Sequence, residues 1–362
     1  MFKRQQPIPD DYVLMDEKER DERIRAIKAN MGSKLVILGH HYQRDEVIRY
    51  ADYRGDSLKL AQLAAQEKEA EYIVFCGVHF MGETADMLTS SEQRVILPDL
   101  GAGCPMADMA ELEDVEACWQ HLMAKYSETF VPVTYVNSSA EVKAFCGRNG
   151  GMTCTSSNAP KIFKQLLDDG KRILFLPDEH LGRNTGLQWG LRDQDILLWN
   201  RENSDEVELP KEAPQLILWD GYCPVHLRFK PEQVDEVRKK YPGIKVIVHP
   251  ECSHDVVAKA DLSGSTDFII RQVSEARAGS IWAIGTELNL VQRLAQQNPD
   301  KRIISLNEGS CLCTMMGRIS QPHLLWALDN LNQGKVVNQI TVDEKITADA
   351  IKALDRMLEL SK

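Results

Sequence analysis

Seven short apolar runs in this 362-residue chain end in residues that could do chemistry. The ends read GHHY (39–42), GVHFMGET (77–84), VNSS (136–139), PDEH (177–180), DGYCPVH (220–226), HPEC (249–252) and GTE (285–287). Histidine, glutamate and tyrosine transfer protons, and cysteine ligates metals. A serine, threonine or aspartate at any one end could simply cap the next helix. Seven ends that also carry His, Cys and Glu exceed what capping needs, and they imply one composite site beyond the carboxyl ends of parallel strands.

The cysteines narrow the chemistry. Nine is an odd number, and an acidic chain with no apolar leader is expected in a reducing compartment, so a disulfide framework is not expected. Most should be small buried residues; Cys76 in YIVFCGV and Cys118 in EACWQHL fit that pattern. Cys104 in GAGCPMAD and Cys223 in DGYCPVH instead follow glycine or a Gly-Tyr pair and precede proline, which lets a loop aim a thiolate. A third loop, EGSCLCTMM, offers Cys311 or Cys313. Proline after a cysteine is common at iron–sulfur ligands, but close ferredoxin spacing and paired CxxC zinc spacing are both absent. Spacing alone does not assign a cluster.

The elements that must position these residues alternate between strand and helix. The strand runs are KLVILG, EYIVFCG, RVILP, VPVTYV, RILFLP, QLILW, IKVIVHP, TDFII, SIWAIG and KRIIS. DSLKLAQLAAQEKEA and SNAPKIFKQLLDDG have helical periodicity, and residues 16–30 form a charged helix before the first strand. The alternation predicts an α/β fold of several small units with parallel sheets covered on both faces. The stretch 187–214 reads as an exposed excursion tolerant of shortening. A net charge of −11 excludes a broad nucleic-acid or anionic-membrane face, and no run approaches a membrane span. With no signal peptide visible, a cytoplasmic location is expected.

The segments GHHYQRDEV, GDSL, FCGVHFMGETADML, VTYVNSSAEVKA, CTSSNAPKI, FLPDEHLGR, VHPEC and GST occur in one order between about residues 38 and 317. With GCP, YCPVH and the C-terminal cysteine loop, the chain resembles the quinolinate synthase family. The resemblance implies three similar small α/β units around a central active-site cavity: 1–105 with 307–362, 106–212, and 213–306. It implies one [4Fe–4S] cluster per chain on Cys104, Cys223 and Cys313, with one iron open to substrate. Some family members carry C-x-x-C-x-x-C at the last loop, and register with the following Met-containing segment selects Cys313. Cys311, on the opposite side of an extended loop, is then a partly buried neighbour that helps shape the loop, and a disulfide between the two would need a strained turn.

The family reaction condenses iminoaspartate with dihydroxyacetone phosphate to give quinolinate, phosphate and water, on the route to NAD. An L-aspartate oxidase or dehydrogenase is the implied source of the imine. By resemblance, Glu251 is the general base, and His40 and Tyr42 transfer protons or bind. His40, Ser57, Tyr135, Asn137, Ser156, His249, Glu251 and Thr266 contact the substrate. His41 and Ser157 are neighbours that the register disfavours, and His226 receives no role. On residues alone two other classes stand beside this one. One is a zinc-dependent aldolase or hydrolase; the other is a redox- or metal-sensing binding protein using the C-x-C loop.

Overall fold

The computed structural model describes residues 5, 7–126, 130–203, 207–307, 309 and 311–361. The first four residues of the N-terminal reading, Gln6, residues 204–206 of the excursion, and Glu308 and Ser310 of the cysteine loop lie outside them. Fourteen strands are found among the described residues. In chain order they are β1 Leu35–His40, β2 Tyr53–Gly55, β3 Tyr72–Cys76, β4 Arg94–Ile96, β5 Phe130–Tyr135, β6 Met152–Cys154, β7 Arg172–Leu176, β8 Ile196–Trp199, β9 Leu216–Trp219, β10 Lys245–Val248, β11 Leu262–Ser263, β12 Ile281–Gly285, β13 Arg302–Ser305 and β14 Gln339–Ile340.

They form three sheets, ordered β14-β4-β3-β1-β2, β6-β5-β7-β9-β8 and β11-β10-β12-β13. Every pairing is parallel except β14 against β4. The α/β fold of repeated parallel units read from the sequence is therefore present. Strands β1, β3, β5 and β9 are buried along their whole length, as continuous apolar runs under helices on both faces must be.

The chain divides into two compact units, residues 1–104 with 312–343 and residues 105–311 with 344–362. The first holds one sheet and the second holds two. The helix Glu344–Ser361, grouped by sequence with the first unit, belongs to the second. Its Ala350, Ala353, Leu354 and Met357 are fully buried at helical spacing. Gly147 makes this contact possible: a Cβ there would stand 1.8 Å from the Asp349 carbonyl oxygen.

Two readings from the sequence are corrected. TDFII is helix, not strand: Ser265 caps Thr266–Ser274 through the Phe268 N–H (3.3 Å), and Thr266, Ile269 and Val273 form its buried face. The 187–214 stretch is not merely an excursion, because it contains β8, which pairs with β9 and buries Trp199 in the second unit's core. Among the described residues, no helix is long and apolar enough to cross a membrane.

Candidate active site and metal centre

In the first unit, β1 ends on His40, which is buried. Its Nδ1 accepts the Tyr42 N–H at 3.1 Å, so the neutral ring carries its proton on Nε2. The two rings meet edge-on with centroids 4.8 Å apart, so these residues do share one side of the strand end. Ser57 is the first residue of the helix Ser57–Gln66, and Asp56, not Ser57, caps it by accepting the Lys59 N–H at 2.9 Å. Thr266 in the second unit has the same relation to its capping neighbour Ser265. Neither hydroxyl is the helix cap, and each lies beside N–H groups that favour an anion.

The second unit gathers the densest polar group. Glu251 follows β10 and is buried. Its Oε2 lies 2.8 Å from His226 Nδ1, and the Tyr135 hydroxyl donates a hydrogen bond to the same carboxylate. His226 Nε2 meets Thr286 Oγ1 at 3.1 Å, and the His226 ring stacks on His249 with centroids 4.6 Å apart. Burial alone would raise the Glu251 carboxyl; the His249 and His226 rings and the bonds from His226 and Tyr135 outweigh it and hold the pKa down at about 2. Burial drives the His249 ring down, against the pull of the Glu251 charge.

Asp178, beyond β7, is fully buried. Its Oδ1 accepts the Leu181 N–H at 2.6 Å and caps the helix Glu179–Trp189. The backbone N–H of Cys223 favours its ionised form more weakly, and Oδ2 has no hydrogen-bond partner among the described residues. Burial first, and the Glu251 charge second, push this carboxyl well above the usual range.

Ser156 is half-buried in the turn before the helix Ala159–Asp168, whereas Ser157 is exposed with its hydroxyl 2.8 Å from that of Thr155. A pocket of about 660 Å³ in this unit is lined by Ser156, Ser157, Asn184, Pro250, Ser265 and others. Asn137 is half-buried just past the end of β5.

Metal donors also meet here. Cys223 Sγ, a His226 nitrogen and a Glu251 oxygen lie within 4.8 Å of one another, the one such group among the described residues. More generally, the nine cysteines fall into two sets. Cys76, Cys118, Cys146, Cys154, Cys252 and Cys311 are buried, whereas Cys104, Cys223 and Cys313 keep part of their surface. Burial pushes all six buried thiols up, Cys76 to about 12, so they stay protonated and inert.

The sequence reading passed over His226, Thr286, Asp178 and Asn184. His226 had a signal in its place three residues after Cys223, and Thr286 and Asp178 sat in strand-end motifs. Nothing local told which of them would meet Glu251.

The family described as quinolinate synthetase A protein matches residues 22–359. The chain belongs to the quinolinate synthase family. It is 53% identical to the quinolinate synthase of Bacillus mycoides (strain KBAB4) over 353 residues, 97% of this chain and 96% of that protein. The quinolinate synthases of Bacillus cereus (strain Q1) and Bacillus anthracis are each 52% identical over the same coverage. Family membership bears out the reading of the chain as an enzyme of NAD biosynthesis.

Proposed function

We propose that the chain condenses iminoaspartate with dihydroxyacetone phosphate to quinolinate, releasing phosphate and water. Cys104, Cys223 and Cys313 would hold one [4Fe–4S] cluster, and the observation that carries this reading is the division of the cysteines. The three positions implied by the family resemblance are the three that are not buried. Thiolate donors of this kind suit iron–sulfur ligation, and His226 and Glu251 beside Cys223 add polar neighbours to the centre. When bound, a cluster with three protein ligands would supply an open iron, a Lewis acid for a hydroxyl that is to leave as water.

The remaining steps fall to side chains. Carbon–carbon and carbon–nitrogen bond formation both need imine–enamine and keto–enol proton shifts. Glu251, kept ionised by His226 and Tyr135, is the base that takes the substrate proton. A pKa of about 2 makes it a weak base at rest, and an arriving dianionic substrate raises its basicity by like-charge proximity. Tyr135 and Asn137 present a phenol and an amide to a carboxylate, and His249 is a further binding group. Ser156 and Thr266, near helix N-termini, hold a carboxylate or phosphate. In the first unit, His40, Tyr42 and Ser57 do the corresponding work of binding and proton donation. An L-aspartate-oxidising enzyme supplies the imine, and the reaction runs in the cytoplasm.

Iron and sulfide content after oxygen-free purification, measured with quinolinate formation, tests this reading. Cys104→Ser, Cys223→Ser and Cys313→Ser should each lose cluster and activity, while Cys311→Ser keeps both. Bound zinc in place of iron, or full turnover in any of the first three variants, would overturn it.

A further inference from the structure

We propose that Asn184 is the positioning residue of Glu251. It rests on the reading of Glu251 as the base. The side chain of Asn184 is buried on the helix Glu179–Trp189, in its second turn. Its Nδ2 donates to the Pro250 carbonyl and to the Cys252 carbonyl, each at 2.9 Å. These are the carbonyls on either side of Glu251, so one amide group clamps the peptide that carries the carboxylate. Its Oδ1 lies 3.0 Å from His254 Nδ1, which donates to it and fixes which way the amide faces.

The loop needs such a clamp. Besides these bonds, it has the Cys252 N–H to His249 carbonyl bond of 3.0 Å, a long 3.4 Å contact from the Glu251 N–H to His249 Nδ1, and ties from the His249 N–H (3.0 Å) and the Cys252 thiol (3.7 Å) to the Gly285 carbonyl. The carboxylate must meet His226 and Tyr135 together, and a base displaced by about 1 Å loses much of its efficiency. Asn184 and His254 also line the 660 Å³ pocket, so the clamp forms part of a wall that a ligand would touch. Helix and base loop come from different sheets of the second unit, and the Asn184 side chain joins them.

The test is a double-mutant cycle on purified holoenzyme, with amide hydrogen exchange of residues 250–253 as a second readout. Asn184→Ala should lower kcat roughly 10-fold with KM and iron content little changed, the loss expected when buried acceptors lose their donors. In the Glu251→Gln background the same change should cost less than about 2-fold, because the group being positioned is gone. Exchange in the loop should quicken. His254→Ala, at an exposed position, should show the same pattern at about 3-fold, and it decides the matter if Asn184→Ala does not fold. Equal losses in both backgrounds, or unchanged loop exchange, would reduce Asn184 to general packing. Full turnover in Glu251→Gln alone would remove the base reading, and the positioning role with it.

Discussion

Glu251 and Asp178 are buried carboxylic acids that each lie just past the end of a parallel strand, in the same unit, close enough to feel each other's charge. Their acidities are shifted in opposite directions. Glu251 accepts from His226 and Tyr135 and its carboxyl is held low, whereas Asp178 accepts from backbone N–H groups and its carboxyl is pushed well above the usual range. Burial opposes charge in both, so the partners decide. Side-chain donors aimed at Glu251 repay its desolvation; at Asp178 the burial and the Glu251 charge outweigh the Leu181 and Cys223 N–H groups and push the carboxyl up. A pair of acids pushed apart in this way separates a chemical role from a structural one.

The largest expected effect comes from removing the ionised member. Glu251→Gln keeps size and polarity but cannot take a proton, so quinolinate formation should fall by roughly 100-fold or more while iron and sulfide content holds. Unchanged turnover would place Glu251 with Asp178 among structural acids. Removing a partner should have a smaller effect. Tyr135→Phe deletes one charge-assisted hydrogen bond to Glu251, and turnover should drop about 10-fold in a steady-state assay. A loss as large as that of Glu251→Gln would mean that the phenol itself does chemistry.

The sequence made the scaffold legible because fully buried parallel strands write themselves as apolar runs, and KLVILG, VPVTYV and QLILW became β1, β5 and β9. TDFII misled because five residues with three hydrophobic members suit either state, and only the Ser265 cap and burial at Ile269 and Val273 decide for helix. Strands β2, β6, β11 and β14, of two or three residues, are too short to leave a pattern. The stretch around β8 looked disposable because its flanks are charged, yet Trp199 sits in the core. At the site, the sequence pointed to Glu251 and Cys223 through strand-end motifs. It was silent on the 25-residue separation between Glu251 and His226, and on the clamp from Asn184, 66 residues before Pro250. Such pairings belong to the packing of one sheet's loops on another's helix, which no local spacing encodes.

The smallest effects test the member whose carboxyl is pushed up. Asp178→Ala removes the cap of the Glu179–Trp189 helix and should cost about 1–2 kcal/mol in chemical denaturation, with a modest fall in turnover. Asp178→Asn is the sharper experiment. An asparagine oxygen can still accept the Leu181 N–H, and its amide has nearly the size and charge of the neutral acid. If Asp178 is held protonated by burial and by Glu251, the exchange swaps one neutral group for another. Thermal midpoint should then move by no more than about 1 °C, the equivalent of under about 1 kcal/mol in a chain of this size, and turnover should stay within about 3-fold. A native carboxylate there would give a different result. Asparagine would relieve its repulsion with Glu251 and raise the midpoint, or it would strip a needed charge and collapse activity. Either departure would mean that the two acids do not divide their protonation as their partners dictate.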